Sequence, residues 1–144
     1  MKAGIVLFGH GARDPEWARP MRRARERLQE QLPQLGVELA FLEFMQPDLA
    51  GAIDALAGTG VRRITVVPMF LAQGGHVKKD LPEQLEHARA RHPDCELRLV
   101  SAVGEAEGVL AAMAAYAAQS AGFELPVAGA GDSAEACRLS GEGQ

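Results

Sequence analysis

Short apolar runs alternate with amphipathic stretches along the chain. Ala3–Phe8 is a run of small, aliphatic and β-branched residues stopped by Gly9, the pattern of a buried strand. Trp17, Met21, Ala24, Leu28, Leu32 and Leu35 then step by three or four with Arg and Glu between them, which is one face of a helix ending near Pro33 and Gly36. Asp14-Pro15 supplies an N-cap and a first helical position. Pro20 predicts a late start or a bend, because a proline inside a helix removes a backbone hydrogen bond. Val37–Glu43 is the second strand, and Pro47-Asp48 opens a helix that turns Leu49, Ile53 and Leu56 inward and stops at Gly58 and Gly60. Val61–Phe70 is the third strand. A loop through Gly74 and Gly75 leads to a helix with Leu81, Leu85 and Ala88 on one face. Glu96–Val100 is the fourth strand, and the Ala-rich stretch Glu105–Ala121 the last helix.

Strand and helix therefore alternate four times. Parallel strands need a crossover, and the helix is that crossover, so the pattern predicts a three-layer α/β fold. About four parallel strands carry helices on both faces, in the flavodoxin- or Rossmann-like manner. One module is expected over residues 1–124. From Leu125 to the end the composition turns to Gly, Ala, Ser and Glu without periodicity, so residues 125–144 are expected to form a disordered tail.

Composition narrows the function more than the fold. The 144 residues are 47% apolar and 24% charged, as in ordinary globular proteins, but only 5% aromatic, so Ala, Val, Leu and Ile must fill the core. A net charge of −4 without a basic stripe speaks against a nucleic-acid partner. No run approaches the ~18 apolar residues of a membrane span, and the opening apolar run is too short for a secretion signal. Cys95 and Cys137 lie far apart, in no metal-binding spacing, and fit a reducing cytoplasm. Cys95 reads as a small apolar residue at a strand start, and His87 and His92 as solvated residues beside Arg89 and Arg91.

In an open parallel sheet the ligand site lies beyond the carboxyl ends of the strands. After the first strand come Gly9, His10, Gly11, Arg13 and Asp14; the second ends in Glu43; after the third come Gln73, Gly74, Gly75, His76, Lys78, Lys79 and Asp80. Two of the four histidines and a carboxylate thus converge on one edge from three segments. A lone histidine in a glycine loop is ordinarily structural. His10, His76 and Glu43 together form a plausible shell for Fe, Co, Ni or Zn. The glycine pairs allow sharp turns and close approach of backbone to a ligand, and each loop runs into a helix N-terminus that favours anions. Arg13, Lys78 and Lys79 add positive charge there, while Asp14 and Asp80 are expected to cap the following helices. The Walker A pattern, the GxSxG elbow and the third glycine of a dinucleotide fingerprint are missing.

Three stretches, LFGHGARDPEW, FLEFMQPDL and VPMFLAQGGHVKKDLPEQL, resemble the CbiX/SirB-type sirohydrochlorin chelatases, which are ATP-independent class II tetrapyrrole chelatases. The resemblance runs from Met1 to about Ala121. It implies insertion of Co²⁺, Fe²⁺ or Ni²⁺ into sirohydrochlorin or a related anionic tetrapyrrole, in cobalamin or siroheme biosynthesis, with no cofactor beyond the substrate metal. It makes His10 and His76 the metal-binding or proton-accepting histidines and Glu43 the residue completing the metal site. Gly11, Arg13, Gly74, Gly75, Lys78 and Lys79 would meet the substrate's carboxylates. Ala12 departs from the pattern, since many relatives carry Ser after His-Gly. Long members hold two modules facing each other, and short ones pair as homodimers, which is the expectation here. Two rivals share the module: a non-catalytic tetrapyrrole or metal carrier, and a small regulatory domain with incidental histidines.

Overall fold

A strand that is apolar on both faces must be covered on both, and β1 (Ala3–Gly9) is such a strand, with Val6, Leu7 and Phe8 all buried. The computed structural model describes residues 2–126. The predicted tail from residue 127 onward, with Cys137, lies outside the described residues.

Three further parallel strands, β2 (Gly36–Phe41), β3 (Arg63–Pro68) and β4 (Glu96–Leu99), complete a sheet in the order β2-β1-β3-β4. Leu7 stands opposite Leu39 on one side and Val67 on the other. Helix α1 (Arg19–Gln31) sets Met21 against Leu7, Val37, Leu39 and Phe41. On the opposite face α2 (Leu49–Gly58) and α3 (Gly75–Arg91) enclose Val6, Phe8, Ile64, Val66 and Leu97 with Leu49, Ile53, Leu56, Leu81 and Leu85. The two faces of the sheet thus have separate cores, as the three-layer prediction requires.

The strand order reverses at β1: the chain leaves it for β2 on one side and returns to β3 on the other. Loops diverging at such a point open a crevice beyond the carboxyl ends of β1 and β3.

Pro20 acts as the sequence pattern anticipated. Pro15–Ala18 form a 3₁₀ turn, capped where Asp14 Oδ1 accepts the Glu16 N–H at 3.0 Å, and α1 begins only at Arg19. Pro20 then falls in the first helical turn, where its missing N–H would have had no partner. Asp48 caps α2 by accepting the Gly51 N–H at 2.9 Å. Asp80 does not cap α3, contrary to its reading: it lies inside the helix, and Gly74 occupies the cap position.

His92 also departs from its expected solvated state. Its side chain is 20% exposed, with Nε2 2.6 Å from Asp54 Oδ1, while Arg91 pairs with the same carboxylate. The His92 hydrogen bond, with that of Arg91 and the charge of both partners, holds the Asp54 carboxyl below its usual range against the opposing effect of burial. The cluster ties α2 to the C-terminal end of α3. His87 is exposed as expected, and Cys95 is half-buried against the core.

The chain divides into two compact units, one through Gly104 and one from Glu105. The second contains α4 (Glu107–Ser120), an Ala-rich helix with no buried residue. No helix among the described residues is long and apolar enough to cross a membrane.

Candidate metal and macrocycle site

The pairing of β1 with β2 continues past the ends of both strands. The Leu42 N–H donates to the Gly9 carbonyl at 3.0 Å and the Glu43 N–H to the His10 carbonyl at 3.1 Å. This register brings the two side chains together, with His10 Nε2 2.9 Å from Glu43 Oε1. Both remain half-exposed, at 50% and 49%. Gly11 follows at φ +89°, and a β-carbon there would collide with the Glu43 carbonyl oxygen. Only glycine permits both the turn and the close approach.

An ionised carboxylate only accepts hydrogen bonds, so in this contact the imidazole donates from Nε2. The spacing also suits metal ligation. Ligand bonds of ~2.0–2.2 Å place two adjacent ligands of one ion roughly 3 Å apart. If Nε2 gives up its proton, the pair can bind one cation with little rearrangement.

His76 lies in the first turn of α3, exposed, with Lys78 and Lys79 exposed beyond it. The structure brings His10 and Glu43 together but does not draw His76 into the same cluster. Among the described residues, no three His, Cys, Asp or Glu side chains are grouped to hold a metal ion. The first turn of α3 has no acidic residue. Two ammonium groups close to the positive end of a helix dipole do not stabilise it, and together they form an anion-attracting edge.

Gly74 and Gly75 differ from their sequence reading. Neither has a positive φ, and a β-carbon on either would meet no atom within 4 Å. The turn does not require glycine here; the absent side chains instead leave open space over the helix N-terminus.

Sequence reasoning missed several neighbours of the histidine–carboxylate pair. Phe44 directly follows Glu43, is 58% exposed and has φ +65°, a backbone region bulky residues rarely occupy. The Arg13 guanidinium carbon lies 5.1 Å from the centre of its ring. Both border an open hollow of about 310 Å³ that Arg22 of α1 also lines. An aromatic residue next to a candidate site acid, in a chain so poor in aromatics, was the one available sequence signal. Arg22 gave none, since it is one of several arginines in α1.

Several known proteins are similar to this chain in sequence or fold. A segment of the chain is 39% identical over 85 residues to the sirohydrochlorin cobaltochelatase of Methanopyrus kandleri, covering 56% of this chain and 57% of that protein. The match thus spans less than two thirds of the relative's length. The fold is similar to that of a CbiX protein from Marinobacter aquaeolei, with a TM-score of 0.71 and 29% identity over 82% of this chain and 96% of that one. It is also similar to the sirohydrochlorin chelatase SirB from Bacillus subtilis in complex with cobalt, with a TM-score of 0.70 and 27% identity over 83% of this chain and 50% of that one. The CbiX family model matches residues 4–120, and on that match the chain belongs to the CbiX family.

Proposed function

We propose that the protein inserts a divalent metal ion, cobalt or iron and by the same chemistry nickel, into sirohydrochlorin or a closely related tetrapyrrole. The observation carrying this reading is the His10–Glu43 pair, 2.9 Å apart and open to solvent beside the crevice at the strand reversal. The names of the cobaltochelatase and SirB relatives point to the same reaction.

Insertion exchanges both inner N–H protons of the macrocycle for one M²⁺. His10 and Glu43 receive the metal from water and present it to the ring face. His76 approaches from the other side of the crevice as a second base or as a third ligand to the ion. Neutral imidazole suits either task near neutral pH. The peripheral carboxylates are met by Arg13, Lys78 and Lys79 and by backbone N–H groups around Gly11, Gly74 and Gly75. No nucleotide takes part, in keeping with a sequence that lacks a Walker pattern.

The match to only half of SirB supports a working unit made of two copies of this chain. We place that homodimer in the cytoplasm, with no nucleic-acid or membrane partner, consistent with the acidic, evenly charged composition.

The test is anaerobic incubation of the protein with sirohydrochlorin and Co²⁺ or Fe²⁺, following the visible spectrum against a protein-free control. Multiple turnovers are expected. A spectral change that stops at one equivalent would instead identify a carrier. No change with well-folded protein would overturn both readings.

A further inference from the structure

The hollow beside the His10–Glu43 pair has walls of two kinds. Ala18, Phe41, Phe44 and Met45 form an apolar lining, while Arg13 and Arg22 bring two guanidinium groups to its edge. Among the described residues neither arginine has a carboxylate partner; they share this with Arg23, Arg25, Arg27 and Arg98, but of these six only Arg13 and Arg22 line the hollow. Arg22 is anchored instead by donating from Nη1 to the Pro15 carbonyl at 3.3 Å. Arg13 lies over the Phe44 ring. Phe44 occupies left-handed backbone and keeps its ring in solvent, so it gains neither a relaxed conformation nor burial. Strain of this kind persists where the surrounding structure holds a residue in place, often for contact with a ligand.

An apolar lining with two unpaired cations at its rim is complementary to a flat, conjugated ligand edged with carboxylates. The volume of about 310 Å³ lies at the low end of the ~300–1,000 Å³ typical of ligand sites, enough for one edge of a large macrocycle. We infer that this hollow is a docking subsite for one acid-bearing edge of the tetrapyrrole. Phe44 stacks on the ring system, and Arg22, with Arg13, pairs with a peripheral carboxylate. The inference rests on the functional reading above and adds Phe44 and Arg22 as positioning residues. They set where the macrocycle lies over the His10–Glu43 pair without touching the reacting nitrogens.

The test is equilibrium binding of metal-free sirohydrochlorin and of uroporphyrin, read by absorbance and tryptophan quenching, alongside Co²⁺ binding and thermal unfolding. Phe44→Gly is expected to unfold at a higher temperature than wild type, since glycine suits the left-handed backbone, yet to bind the macrocycle roughly tenfold more weakly. Phe44→Tyr is expected to bind as wild type does. Arg22→Gln is expected to weaken macrocycle binding roughly five- to tenfold and to flatten its salt dependence, with Co²⁺ affinity unchanged. Wild-type binding and turnover with unaltered macrocycle affinity in Phe44→Gly and Arg22→Gln would overturn this inference and leave the chelatase reading standing. Failure of wild type to bind either macrocycle would overturn both.

Discussion

Gly11 lies so close to the Glu43 carbonyl oxygen that no β-carbon fits between them, and this contact couples the first loop of the sheet to the second. The backbone bond from the Glu43 N–H to the His10 carbonyl lies one residue away. The His10–Glu43 side-chain pair therefore depends on a glycine whose missing β-carbon lets the two loops hold this geometry.

Gly11→Ala is expected to destabilise the fold by about 2–4 kcal/mol, combining a positive-φ penalty with a backbone clash. It should also abolish Co²⁺ binding under conditions where the protein remains folded. Urea unfolding and Co²⁺ absorption spectra measure the two effects. Wild-type stability in this variant would show that the loops are not packed in this way.

His10→Ala and Glu43→Gln separate catalysis from stability. A half-exposed pair contributes under about 1 kcal/mol, so both variants should unfold near the wild-type midpoint. Their turnover with sirohydrochlorin and Co²⁺ should fall by about 100-fold or more, in line with the loss of a general base or ligand. Retention of full activity by either would remove that residue from the mechanism.

Gly75→Ala tests the open space above α3. The position has no positive φ and no neighbour for a β-carbon, so the change should leave stability unchanged or raise it by about 0.4–1 kcal/mol. If anionic substrate approaches the backbone there, KM should rise several-fold with kcat little altered. An unchanged KM would place the substrate elsewhere. Lys78→Gln combined with Lys79→Gln should raise KM in the same way and weaken its dependence on salt.

The Asp54 cluster predicts a particular acid limb. The carboxyl is held below its usual range, chiefly by the His92 hydrogen bond. The folded state therefore binds this proton less readily than the unfolded chain. The pairing contributes its full stability above the ordinary carboxylate range and loses it as pH falls below about 4. Asp54→Asn should lower stability at neutral pH and make the decline below about pH 4 shallower. Parallel acid limbs in urea titrations of the two proteins would contradict the assignment.

Much of the fold was legible from periodicity. The alternation of apolar runs with three-and-four spacing placed all four strands and helices, because burial on one or two faces imposes a repeat that any reader of the chain can see. Pro20 and Asp48 acted as read, since proline geometry and capping depend on a few adjacent residues. Asp80 was misread: a capping aspartate and an aspartate one turn inside a helix look alike in sequence, and Gly74 began α3 earlier than the pattern implied.

The candidate site was legible only in part. That His10, Glu43 and His76 fall beyond strand ends follows from chain order alone. That His10 meets Glu43, 33 residues away, while His76 joins no cluster with them, was decided by strand register and by where α3 begins. Phe44 beside Arg13 and Arg22, and His92 on Asp54, likewise depend on the packing of segments remote in sequence. Sequence patterns record each residue's own backbone preference and its face of burial, which determined the alternation, the layers and the edge where chemistry belongs. Which side chains come within a few ångströms of one another is set by register and close packing between distant segments, and only the tertiary structure decided it.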